Sequence, residues 1–236
     1  MKDFISKVTF GFLMAQLVPG LVVIYAFSFA YVAFFGIELG TIEEVVNAAI
    51  NVWSASIESL LIFLILSLGA GMAIHGLHWA VLGFMEYHFA ERKDGKVIEP
   101  QPVCETFWHN WRIIFQIIMG PIKLVWEIVL FLFSKQKLNE VAIAENIPNI
   151  PSEKIEAFKF LQDFYLYFAQ FYAHTAYALI VLFVLVIAAI LFSTRIVFST
   201  HCVLFAAVVW LVSGFFFLIS RIQLTSLFKG EDQLTR

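Results

Sequence analysis

Charge is what this chain of 236 residues has least of: Asp, Glu, Lys and Arg together make up 14% of it, against 61% hydrophobic residues. Soluble domains carry about a quarter charged residues, so the composition excludes a water-soluble globular fold and implies an integral membrane protein. Cysteine is scarce as well. Cys104 and Cys202 are the only two, and the topology derived below puts them in different compartments, which excludes a disulfide framework. There is no GxxxxGK phosphate loop, no paired metal-binding cysteines and no GxSxG elbow, so no catalytic signature announces an enzyme and no cofactor is implied. A net charge of −3 gives no bulk attraction to nucleic acid.

Aromatic residues are abundant. Twenty-seven Phe and six Trp lift their share to 17%, as expected where rings face lipid and headgroups. Lys2 and Lys7 ahead of an apolar run resemble a signal peptide, but the run continues to Ile37, beyond the ~7–15 residues of a signal core. It is expected to remain as a span.

Four segments have the ~17–25 apolar residues that cross about 30 Å of hydrocarbon as helix: Gly20–Ile37, Ile57–Val81, Tyr172–Phe192 and Cys202–Ile219. A fifth stretch, Trp108 to Phe133, is long enough but carries Arg112, Gln116, Lys123 and Glu127. Lys and Arg accumulate in cytoplasmic loops. If this stretch does not cross, fourteen of the fifteen basic residues share one side and Arg195 alone lies on the other; if it crosses, the bias vanishes and Lys123 is buried in lipid. Its polar residues fall on one helical stripe with Gly120 between them, and Pro121 removes the amide bond to residue 117. The reading is a kinked amphipathic helix with one wet face, lying in the cytoplasmic interface or against the bundle.

The expected fold is therefore an all-α integral membrane protein with four transmembrane helices and amphipathic interfacial or cytoplasmic helices, both termini cytoplasmic, in a bacterial inner membrane. Residues 1–85 hold an amphipathic segment, two spans and an acidic external loop. Residues 86–171 form a cytoplasmic or interfacial helical region, and 172–236 a transmembrane hairpin with a short tail. From an N-cap at Ser152 the polar face Glu156, Lys159, Asp163, Gln170 runs without a breaker into the third span. A helix of ~40 residues would reach about 60 Å, so half would project into the cytoplasm and need a partner. That favours a symmetric homo-oligomer, with a tetramer as a working guess.

Thr41 and Glu44 form a capping box for a helix in the external loop. The loop region holds Glu38, Glu43, Glu44 and Glu58 without a basic residue, which is what the positive-inside rule leaves behind or, around a symmetric assembly, an acidic mouth.

Gln16, Pro19 and Gly20 interrupt the first apolar stretch. Either a broken helix places free backbone groups beside an ion, or an interfacial helix ends at Gln16 and Pro-Gly turns the chain into the span; the flanking charges favour the second. In the second span Ser67, Gly71 and His75 recur every four residues, with Gly69, Ala73, Gly76 and Ala80 offset beside them. Small residues at this spacing permit close helix packing, the favoured reading, or line a narrow pore. The candidate pore-lining residues are Gln16, Pro19, Glu58, Ser67, Gly71, His75 and His78. His75 and His78 share a face and would also suit a metal, without the usual context. Arg92, Lys93 and Lys96, followed by Trp108, Trp111 and Arg112, combine positive charge with rings. They are candidates for holding anionic lipid or, by stacking a base, a nucleotide.

In organisation, a small four-span protein with amphipathic cytoplasmic helices and no catalytic signature, the chain resembles the transmembrane effectors of bacterial anti-phage defence systems. The resemblance rests on no diagnostic residue. It implies an oligomeric membrane pore, gated by a nucleotide or oligonucleotide signal or a soluble cytoplasmic regulator, that collapses the membrane potential. Two other readings stand beside it: a membrane anchor for a soluble partner, and a membrane-embedded metal enzyme using His75 and His78.

Overall fold

In lipid an apolar segment must satisfy its own backbone groups, which leaves the helix as the way across. The computed structural model describes residues 2–36, 40–54, 56–89, 107–133, 152–157 and 167–235. Its helices are α1 (Lys2–Phe35), α2 (Ile42–Ser54), α3 (Ile57–Phe89), α4 (Phe107–Phe133), α5 (Tyr167–Phe192) and α6 (Thr200–Thr235), with a 3-10 turn at Ser152–Lys154. No strand occurs among the described residues. Among the described residues four helices are long and apolar enough to cross a membrane, over Leu13–Phe35, Ile57–His78, Tyr167–Phe192 and Thr200–Gln223.

Spans two to four fall where the hydropathy places them. The first differs: α1 is continuous through Pro19, and the apolar stretch that could cross includes the residues from Leu13 to Pro19 ahead of Gly20. Proline at position 19 deletes one helical bond, to the carbonyl of Ala15. His174 of α5 restores a donor there, with its Nδ1 2.9 Å from the Ala15 oxygen, so the helix has no need to turn.

Gly20 has a second role. A Cβ at Gly20 would collide with the Ser67 carbonyl of α3, and one at Gly71 would collide with the Gln16 carbonyl of α1. The two helices thus cross backbone to backbone, Gln16 and Gly20 against Ser67 and Gly71, as small residues at four-residue spacing allow.

One apolar cluster joins Ala26, Phe29 and Ala33 of α1 to Val45 and Ala49 of α2, Val186 and Ala189 of α5 and Ala206 of α6. At this end Ser193 Oγ donates to the Ala33 carbonyl at 2.5 Å, Arg195 donates to the Gly36 carbonyl, and Trp53 Nε1 donates to Ser28 Oγ at 2.6 Å. The capping box is present: Thr41 N–H donates to Glu44 Oε2 and Glu44 N–H to Thr41 Oγ1. His201 Nδ1 lies 2.8 Å from Glu43, tying α2 to the start of α6. A second cluster, toward the other end, joins Val23, Ile74, Leu124, Ala173, Tyr177 and Phe217. Two hydroxyls clamp the last hairpin, Ser213 to the Ala176 carbonyl and Ser220 to the Ala169 carbonyl.

α4 (Phe107–Phe133) has 27 residues, about 40 Å at 1.5 Å rise per residue, so its length alone does not keep it from crossing the ~30 Å hydrocarbon layer. Of the two placements expected for this helix, the structure has it against the bundle. Trp210, near the middle of the last span, donates its indole N–H to the Ile118 carbonyl at 3.0 Å, and Gly120 packs on Gly214 and Phe217. The polar stripe is therefore not wet along its length: Gly120 is buried on α6, while Lys123 remains exposed.

α3 continues to Phe89, past the division expected at residue 85, and α6 continues to Thr235, so the tail is helical. The long helix expected from Ser152 begins with the 3-10 turn; residues 158–166, on which its continuity depends, lie outside the described residues.

Candidate functional site

The polar face of α3 is turned inward. Ser67 is fully buried, its hydroxyl bonded to the Phe63 carbonyl one turn earlier at 2.7 Å. Gly71 follows against α1, then His75 and His78 against α5. The ring centroids of His75 and His174 are 5.1 Å apart and those of His78 and His174 4.9 Å, both edge-on; His78 also meets the Tyr177 ring at 5.6 Å. Gln16, beside the Ala15 that His174 binds, is 1% exposed, and His174 and His78 are 0% and 5% exposed. α3 and α5 thus bring three imidazoles together one turn from the α1–α3 crossing, while α1 contributes the Ala15 carbonyl and holds Gln16 in the crossing itself. At the rim, Arg221 of α6 stacks over Phe217 at 5.0 Å.

Buried polar groups are normally hydrogen-bonded, more so where the surroundings are lipid. Here Gln16 Oε1, His78 Nδ1 and His174 Nε2 are buried with no hydrogen-bond partner among the described residues. The tautomer of His174 follows from its one bond. A carbonyl oxygen only accepts, so Nδ1 carries the proton and Nε2 of the neutral ring presents a lone pair.

The other sequence candidates fall elsewhere. Pro19 is fully buried within α1, and Glu58 is exposed at the far end of α3. Trp108, Trp111 and Arg112 lie on the first turns of α4, whereas Arg92, Lys93 and Lys96 lie outside the described residues. His174 is not among the residues that the sequence singles out; a signal was available, since a proline inside a span frees a carbonyl that something must bind. A metal is not supported by this geometry: among the described residues no group of three or more His, Cys, Asp or Glu is placed to hold one.

No family model matches the chain, and no curated protein or solved structure is similar to it.

Proposed function

We propose that the chain is the subunit of a homo-oligomeric pore in a bacterial inner membrane, opened from the cytoplasmic side so that the membrane depolarises. One observation carries the reading: the polar face of the second span turns into the bundle, with Ser67, Gly71 and His78 buried and His75 half-buried, against Gln16 and His174. Polar and ionisable groups kept inside a membrane are costly and mark permeation paths. The α1–α3 crossing is then the closed gate, because the two backbones touch there and leave no passage. Parting α1 from α3 would join the imidazole cluster to the far end of the seam.

The opposite face of α3 supports assembly. Gly69 and Gly76 have open space where a side chain would stand, Ala73 between them is exposed, and only 17% of this span is buried against 33–44% of the others. Copies packing through that face would place four or so seams around one axis. The cytoplasmic signal acts through residues 86–171, by a nucleotide or a soluble regulator.

The test is ionic current across a planar bilayer holding the purified protein, with its mass in detergent measured in parallel. Discrete steps from an oligomer, reduced by Gln16→Leu and by His75→Leu, are expected. A monomer without current, or an oligomer that stays silent with and without a cytoplasmic extract, overturns the proposal.

A further inference from the structure

His174 has one place left for a proton. Its Nδ1 already donates to the Ala15 carbonyl, 2.9 Å away, so a second proton can only join Nε2. That atom is buried and has no hydrogen-bond partner among the described residues. Its ring is held edge-on between those of His75 and His78, with centroids 5.1 and 4.9 Å away. The rings are in contact, and Nε2 is closed to water.

A proton on Nε2 would need an acceptor for the new N–H and some relief for the charge. The surrounding elements present the following groups. α1 contributes the Ala15 carbonyl, already bonded, and Gln16, held in the crossing with α3. α3 contributes His75 and His78, and α5 itself Tyr177, which faces His78. α6 reaches this end through Phe217, with Arg221 over its ring, and α4 through Leu124, with Lys123 exposed beside it. None of these is placed to bond Nε2, and the fixed charges among them, Arg221 and Lys123, are positive. Only water can meet the new N–H, and water reaches it only if α5 and α3 separate.

We infer that His174 is an acid-sensitive catch: proton uptake at Nε2 parts α5 from α3 and opens the imidazole seam to water from the end of the bundle where Arg221 stands. Acid drives the movement in one direction. The closed seam takes up no proton at Nε2, whereas a hydrated imidazole does so around its ordinary value of about 6.5. The open state therefore binds more protons, and the ratio of open to closed rises by about tenfold per pH unit below that value for one proton. Above it the catch is shut. The inference goes beyond the pore reading, because it concerns a movement of the bundle and holds whether or not the assembly conducts.

The experiment is solid-state NMR of the full chain in lipid nanodiscs, with histidine and phenylalanine labelled in 13C and 15N, from pH 8 to pH 5. Three signals are read: the proton on His174 Nε2, the ring contact between His78 and His174, and polarisation transfer from bulk water to the His78 ring. The contact between Phe29 and Phe205, whose centroids lie 6.3 Å apart in the other apolar cluster, reports on the rest of the fold. As pH falls below about 6.5, Nε2 should gain its proton, the His78–His174 contact should fade and water should reach His78, with the Phe29–Phe205 contact intact. His174→Gln can still donate to the Ala15 carbonyl but takes up no proton, so the pH dependence of water access to His78 should drop by one proton, about tenfold per pH unit. A merely structural role would raise water access equally at every pH. Four results overturn the inference: no acid response in the native chain, a proton on Nε2 with the ring contact retained, loss of the Phe29–Phe205 contact in parallel, or an unchanged pH dependence in His174→Gln. The first three are read on the native chain and decide the matter even if the variant does not fold.

Discussion

Pro19 in α1 and Pro121 in α4 each remove one bond from the middle of a helix, and the neighbouring helices meet the two losses differently. At Pro19 the vacated carbonyl, Ala15, receives the imidazole of His174. At Pro121 the vacated carbonyl, Ile117, has the backbone of Gly214 pressed against it, and the next carbonyl, Ile118, receives the indole of Trp210. An indole has a single polar atom, so its bond ends the matter. An imidazole has a second nitrogen, which must itself be accommodated. The α1 repair therefore creates a further polar demand inside the bundle, where Gln16 and His78 gather, while the α4 repair leaves apolar surroundings: Ile118 and Trp210 belong to a groove lined by Phe183, Ile187 and Leu211 among others. The same helix defect yields a candidate site in one place and a packed joint in the other.

Substitutions that fill the two crossings should separate these regions most sharply. Gly20→Leu drives a side chain into the Ser67 carbonyl and Gly214→Leu drives one into Ile117; overpacking of this severity costs about 3 kcal/mol or more. Gly20→Leu is expected to abolish the cooperative thermal transition in detergent, because α1 touches α2, α3 and α5. Gly214→Leu should preserve the spans and release α4, seen as faster proteolysis within 107–133. Equal damage from both would erase the distinction.

The next test is a double-mutant cycle. His174→Ala leaves the Ala15 carbonyl unbonded at a cost of about 1–3 kcal/mol. In a Pro19→Ala background the residue-19 amide returns to that carbonyl, so the same change should cost about 1 kcal/mol less. Additivity in denaturant titrations would mean that His174 is not the substitute for the missing amide. Trp210→Phe should cost less, about 0.5–1.5 kcal/mol, and show no coupling to Pro121→Ala, since the bond restored there ends on Ile117 and not on Ile118.

The smallest effect lies away from both prolines, in the loop helix α2. The Thr41 and Gly40 amides and the Thr41 hydroxyl beside Glu44 hold its carboxyl below the ordinary value of 4.5. A lowered folded-state pKa contributes stability that is complete above the unfolded value and is lost as pH falls through the folded one. Amide protection in the first turn of α2, taken relative to the intrinsic exchange rate at each pH, should thus be unchanged down to about pH 5 and fall at lower pH, and Glu44→Gln should remove that fall.

Much of the fold was legible because it follows from length and apolarity: three of four spans, the capping box at Thr41 and Glu44, and the inward, closely packed face of Ser67 and Gly71. Charge distribution sets α4 apart from the four apolar spans, and the structure adds only that it packs on α6. What stayed hidden depends on partners distant in sequence. Pro19 reads as a turn as long as nothing identifies His174 as the donor that keeps α1 straight enough to continue. Gly120, set among polar residues, reads as part of a wet stripe, although Gly214 requires it to be bare. The imidazole cluster was half visible, as His75 and His78 on one face; its third ring and its glutamine belong to helices whose registers hydropathy does not fix.

The bond between Ala15 and His174 spans 159 residues of sequence, which has a consequence for biosynthesis. At ~5–20 residues per second a ribosome needs roughly 10–30 s to make the donor after the acceptor. Through that interval α1 is already inserted with an unsatisfied carbonyl. The nascent first span must therefore wait beside water or the insertion machinery, and the protein commits to its bundle only when the third span arrives.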